Sequence, residues 1–195
     1  MSHATVLVIL KKDDDLNEVM APYDENNEDA FEFEDRTEEL LECYEEDIKE
    51  AEERGESVSS VLVDSWGYTE KDGRFGSFYN PQGYWDWFTV GGRWEGFLKL
   101  NKEIKNPEDV IECTEEGTHC NGCRSEDFDY EGQKKELKQD ALFFAVLKDG
   151  QWYGSAELGW FGTTSNENED WPAMEAKLLK ECDPKDQLVL VDYHI

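Results

Sequence analysis

The chain is short of positive charge. Nineteen Lys and Arg stand against 48 Asp and Glu among 195 residues, a net charge of −29. A field of that sign repels phosphate backbones and anionic lipid headgroups, so neither nucleic acid nor an anionic membrane is a partner held by bulk charge. Long apolar runs are missing too. The longest, Ala4 to Leu10 and Ala141 to Leu147, fall far short of the roughly 20 residues that cross a bilayer. Lys11-Lys12 follow the first run instead of preceding it, the wrong order for a secretory signal. Cysteines are few and odd in number, five, three of them between 113 and 123. This reads as the reduced thiols of a cytoplasmic protein, with or without a metal, and not as a disulfide framework. There are only three histidines: His3 near one end, His119, and His194, the penultimate residue. G-x-G-x-x-G, P-loop, G-x-S-x-G, H-E-x-x-H and EF-hand patterns are all absent. Enzyme signatures are therefore thin, and the reading leans away from an enzyme.

Aromatic residues, by contrast, make up 13% of the chain and include seven tryptophans, too rich a supply for a disordered protein. The length suits one domain over 1–195 that buries a core without disulfides. Ala4 to Leu10 reads as a buried, β-branched strand. Residues 13 to 56 then hold 21 acidic residues against Arg36, Lys49 and Arg54, a net −18 of the total −29. Within that stretch, Thr37 to Arg54 predicts a helix with Thr37 as N-cap and an apolar stripe of Leu40, Leu41, Tyr44, Ile48 and Ala51. Glu38, Glu39, Glu42, Glu45 and Glu46 lie on its acidic face. Val58 to Trp66 reads as a strand and Gly67 to Gly83 as a loop. Residues 101 to 132 look like a polar, cysteine-containing insertion. Leu142 to Leu147 and Gln151 to Leu158 form a hairpin about Lys148-Asp149-Gly150. Trp171 to Cys182 predicts a second helix, with Asp170 as N-cap and Pro172 in its first turn. Leu188 to Val191 is a last strand. The pattern is α+β: a mainly antiparallel sheet with its helices on one face, ferredoxin-like in outline.

Two segments could carry chemistry. In Tyr79 to Gly96 (YNPQGYWDWFTVGGRWEG), Trp85, Trp87 and Trp94 surround Asp86, Gly91, Gly92 and Arg93. On an extended chain Trp85 and Trp87 share a side, and Arg93 can stack on an indole or pair with Asp86. The segment is either an aromatic cleft for a planar ligand such as a nucleotide, with Arg93 on its phosphate, or a structural corner that fills the core. The second is Cys113-x6-Cys120-x2-Cys123, with His119 beside Cys120. A C-x-x-C pair with a glycine inside is a common half of a zinc site. The reading is a structural zinc on Cys113, Cys120 and Cys123, with His119 as one choice of fourth ligand and Cys43, Cys182 and His194 as remote alternatives. The alternative is three free thiols on a surface loop.

Ala21-Pro22-Tyr23-Asp24-Glu25-Asn26, Tyr79-Asn80-Pro81, the W-D-W-x3-G-G-R-W stretch from Trp85 to Trp94, Phe144-Ala145-Val146 with Gly150-x-Trp152-Tyr153, and the ending Val191-Asp192-x-His194-Ile195 resemble a broad set of uncharacterised bacteriophage-encoded proteins. The resemblance implies a context, the cytoplasm of an infected bacterium, and carries no activity. The cysteine loop departs from that pattern. The leading expectation is an accessory protein, of host takeover or anti-defence, whose acidic face mimics nucleic acid and blocks a basic host protein such as a nuclease or restriction factor. The alternative is a protein that binds or cleaves a nucleotide signal with the Trp/Arg cleft.

Overall fold

The structure, a computed structural model, describes residues 2–158 and 163–195. It is mixed α+β with mostly antiparallel sheets. Among the described residues no helix is long and apolar enough to cross a membrane. The chain divides into two compact units, one made of residues 1–21 and 84–195, the other of residues 22–83.

The first unit is built on a six-stranded sheet. Its centre is the first strand, His3–Leu10, paired antiparallel with the last, Gln187–His194, in an unbroken register from His3↔His194 to Leu10↔Gln187. Ala145–Lys148 lies parallel to the first strand on its other side, and Gln151–Gly154 extends that edge as the second arm of the hairpin. Asp149 and Gly150 make the turn with φ of 51° and 71°, the left-handed pair that a two-residue hairpin requires. The far edge of the last strand is shared. Trp87–Val90 pairs with residues 191–194 and Gly122–Arg124 with residues 187–189. The three apolar runs read from the sequence thus lie in one sheet.

Alternation decides what each face meets. Leu7, Ile9, Leu188, Leu190 and Val146 bury one face under Trp171 and Leu178 of the helix Trp171–Lys180, with Phe128, Phe143, Cys120 and Cys123. The helix is anchored by buried polar bonds. Trp171 Nε1 donates to the Phe143 carbonyl at 2.8 Å. The carboxylate of Glu175 accepts the Leu142 and Phe143 N–H groups and the Tyr130 hydroxyl, each at 2.9 Å. Burial pushes the Glu175 carboxyl above its usual range, against these donors. Val6, Val8, Val189, Val191 and Tyr193 fill the other face, where Trp152 packs edge-on against Tyr193.

Residues 101–132 are not a polar lobe apart from this core. Leu100, Cys120, Cys123 and Phe128 belong to it, because His119–Cys120 pairs with Leu98–Lys99 and Gly122–Arg124 joins the main sheet. Asn121 and Asp127 of the same stretch are buried as well.

The second unit carries most of the negative charge. Its three-stranded antiparallel sheet runs Glu32–Asp35, Arg74–Tyr79, Thr69–Lys71. Where the sequence suggested a loop, Asp72 and Gly73, with φ of 52° and 76°, turn a hairpin. The helix expected over 37–54 is two helices, Thr37–Cys43 and Glu45–Glu53, broken at Tyr44. Thr37 is a first-turn residue and not the cap. Asp35 accepts its N–H at 3.1 Å and its hydroxyl at 2.7 Å. The apolar stripe is used inside this unit: Leu40 packs with Leu62 and Phe75, and Ile48 and Ala51 with Val61. The expected strand at 58–66 is a wide π-helical turn, Ser60–Ser65. A strand would send Val61 and Leu62 to opposite faces, whereas here both are buried under the helices.

Gly76 makes this small sheet possible, because a Cβ there would sit 1.8 Å from the Glu34 carbonyl oxygen. Gly76→Ala should therefore lose protection from hydrogen exchange at residues 32–35 and 74–79, with a stability cost of about 1–3 kcal/mol for the overpacking. Unchanged exchange there would contradict the pairing.

Candidate functional site

The polar end of the central strand pair is the most unusual place in the first unit. On the face that carries Leu190 and Leu188, the next positions outward are Asp192 opposite Thr5 and His194 opposite His3. Asp192 is 1% exposed, and Thr5 and His194 are 6% exposed, so this is a buried polar cluster continuous with an apolar core. Buried polar groups persist when they are hydrogen-bonded, and most of these are. His3 Nδ1 lies 2.8 Å from Asp192 Oδ1, and His194 Nδ1 2.6 Å from Asp86 Oδ1. Asp192 Oδ2 accepts the Arg93 backbone N–H at 3.0 Å. Thr5 Oγ1 accepts the Phe144 N–H at 3.1 Å.

One atom breaks the pattern. His194 Nε2 is buried and has no hydrogen-bond partner. Leaving such a group unsatisfied costs about 1–3 kcal/mol. With each Nδ1 committed to a carboxylate, Nε2 is the nitrogen that each imidazole offers to a ligand. The two rings meet edge to face with centroids 5.0 Å apart. Trp87, across the ladder from His194, stacks on His194 at 5.3 Å and 18° and touches His3 edge-on at 5.2 Å. Trp87 as a residue is 44% exposed.

The turn after Trp87–Val90 holds the cluster in place. Gly91 and Gly92 have φ of 68° and 54°, and both are crowded. A Cβ on Gly91 would meet the Asn121 side chain at 2.3 Å, and one on Gly92 would meet Asp192 Oδ2 at 2.4 Å. Only glycine lets the 3-10 turn Gly92–Trp94 close over Asp192 and aim the Arg93 amide at it. The Arg93 side chain is exposed. It forms no ion pair among the described residues, whereas Arg36, Arg54, Arg74 and Arg124 are each paired with a carboxylate.

The expected tryptophan cleft is therefore rearranged. Trp85 and Trp87 do not line one wall. Trp85 is buried, donates Nε1–H to the Met20 carbonyl at 3.2 Å and packs on Phe88. The strand begins only at Trp87, so alternation does not extend back to Trp85. Trp94 packs against the main core. Arg93 does not pair with Asp86, which is occupied by His194. Of the aromatic set, Trp87 alone stands over the histidines. The sequence offers His194 only as a remote metal ligand and does not single out His3 or Asp192. The available signal was polar residues at alternate positions, 3 and 5 in one strand and 192 and 194 in the other.

The other candidates are placed as follows. Glu38, Glu39, Glu42, Glu45 and Glu46 are all exposed. Arg36 forks Glu39 at 2.5 and 3.0 Å and holds its carboxyl below the usual range; Lys49 does the same for Glu45 at 2.5 Å. Of the four proposed metal ligands, Cys120 and Cys123 are both buried in the core, and hydrogen bonding with Cys120, with burial adding to it, pushes the Cys123 thiol up. Cys113 is exposed, and His119 Nδ1 is 3.0 Å from the Thr118 hydroxyl. Among the described residues no group of three or more His, Cys, Asp or Glu side chains converges to hold a metal ion. No protein-family model, curated protein or solved structure matches the chain.

Proposed function

We propose that the protein binds a small anionic ligand of the nucleotide class at the His3–His194 pair, beneath and beside Trp87. The observation that carries this reading is the buried, unpartnered Nε2 of His194. A polar atom sealed in a protein interior and left without a partner fits a site that a ligand completes. The anionic character follows from Arg93. In a chain with 48 carboxylates, its guanidinium forms no ion pair among the described residues, while its backbone is fixed on the aspartate that holds His3. The half-exposed indole of Trp87 supplies the planar surface on which a base stacks. This is the nucleotide reading of the Trp-rich segment, seated on different residues.

Thermal unfolding with inorganic phosphate and a panel of nucleotides tests it. A ligand present at 100 times its dissociation constant should add about 2.7 kcal/mol of stability. Trp87→Ala and Arg93→Ala should reduce that gain without lowering the unliganded midpoint by a comparable amount. The absence of any shift with every compound would contradict the reading.

A second reading concerns the acidic face. All five glutamates point to solvent, within a stretch of net charge −18. DNA carries one charge per about 1.7 Å of axis, and a helix rises about 1.5 Å per residue, so the densities are comparable. On this reading, a protein made in a phage-infected bacterium docks a basic nucleic-acid-binding host factor. Charge reversal at Glu38, Glu39, Glu42, Glu45 and Glu46 should abolish capture of such factors at low salt and leave phosphate binding intact. Capture indifferent to salt, or to the reversal, contradicts it. A structural zinc on Cys113, Cys120 and Cys123, with His119 as one choice of fourth ligand, is a separate proposal. Elemental analysis of protein purified without chelator should find one zinc per chain, and zinc-free protein would end the idea.

A further inference from the structure

A clamp for an anion needs donors. It does not need every donor ring to be backed by its own carboxylate. Here both are: Asp192 holds His3 Nδ1 and Asp86 holds His194 Nδ1. A carboxylate at Nδ1 leaves Nε2 as the nitrogen that meets a ligand. The carboxylates are themselves held. Asp192 accepts the Arg93 amide with its second oxygen, and Asp86 is fixed by its own N–H, which donates to the His194 carbonyl at 3.0 Å. The two rings come from facing positions of adjacent strands, with centroids 5.0 Å apart. No serine or cysteine takes part in these contacts. What stands here is a matched pair of proton carriers, and the one hydroxyl beside them, that of Thr5, is taken up by the Phe144 N–H.

We infer that the His3–Asp192 and His194–Asp86 pairs are an acid–base couple that hydrolyses a phosphate ester. This rests on the ligand-binding reading above and adds a reaction to it. A water oxygen attacks phosphorus with its own electron pair and forms the new P–O bond, and its proton passes to Nε2 of one imidazole. The P–O bond to the leaving group breaks, the electron pair departs with the leaving oxygen, and that oxygen takes a proton from Nε2 of the other imidazole. The rings finish with their protonation states exchanged, and solvent restores them. Nothing is oxidised or reduced, and water is the only co-reactant. Arg93 supplies positive charge for the phosphoryl oxygens. His3 and His194 touch the reacting atoms; Asp86 and Asp192 are positioning residues that act through them.

The full chain, offered bis(4-nitrophenyl) phosphate and 4-nitrophenyl phosphate, should release nitrophenolate from at least one of them. His3→Gln and His194→Gln should each lower the rate by roughly 100- to 10,000-fold, the usual yield of one general acid or base. Asp86→Asn should lower kcat with little change in KM, and should move the imidazole ¹⁵N shifts of His194 as its tautomer changes, which loss of packing alone would not do. If His194→Gln fails to fold, His3→Gln and Asp86→Asn carry the test. Phosphate binding by the unaltered chain with no hydrolysis of either ester overturns this inference and leaves the binding reading standing. Hydrolysis that survives the histidine substitutions overturns it too. Absence of both binding and hydrolysis removes the two together.

Discussion

The pairing of the first strand with the last is the constraint on which the rest of the first unit depends. Eight consecutive pairs, His3↔His194 through Leu10↔Gln187, fix which residues share a face. Ile9 with Leu188 and Leu7 with Leu190 make the core that helix Trp171–Lys180 covers. Two rungs further along the same face, Thr5 meets Asp192 and His3 meets His194. A slip of one residue would turn the histidines and the leucines of one strand to the opposite side together, so the register that builds the core also assembles the polar cluster. The edge strand Trp87–Val90 adds the third ring by placing Trp87 across from His194.

Placing polar groups at the end of an apolar core is costly, and the surrounding structure is arranged to offset that cost. Two carboxylates, two backbone amides and one threonine hydroxyl make the hydrogen bonds there, and His194 Nε2 is left buried without one. The close approach of the Gly91-Gly92 turn is part of the same arrangement, since a side chain on either glycine would displace Asn121 or Asp192. Local choices that cost stability and converge on one point are the pattern expected of a functional site. Glu175 is the useful contrast. It is also buried and polar, but its carboxylate is met by two backbone amides and a tyrosine hydroxyl, and the bonds tie helix 171–180 to the segment before strand Ala145–Lys148.

Much of this was legible in the sequence, and the misses have physical causes. The three apolar runs were readable as one sheet because residues apolar on both sides of the pleat need a central place. The Lys148-Asp149-Gly150 turn and Pro172 at the start of a helix were readable because their backbone preferences are strong. The exposure of Glu45 and Glu46 followed from the cost of burying unpaired charge. The Asp72-Gly73 turn carried the same signal as the first hairpin, but Gly, Asn, Pro and aromatic residues around it obscured it. Tyr44 breaks a helix whose periodicity reads through without a pause. Cys120 and Cys123 read as half of a zinc site in a polar insertion, and their burial in the core is a tertiary fact. The histidine pair was legible in principle: polar residues recur with a period of two at ends of two strands that become neighbours only when the pairing is known.

The central claim is that the two imidazoles face a ligand through Nε2. Imidazole ¹⁵N resonances of His3 and His194, followed while 5′-AMP is titrated into the full chain, report on that atom directly. The account predicts a saturable shift of Nε2 of His194 with Nδ1 little changed, because Nδ1 remains on Asp86 throughout. Nε2 resonances that stay fixed up to saturating nucleotide and phosphate, or a response confined to Nδ1, would contradict it.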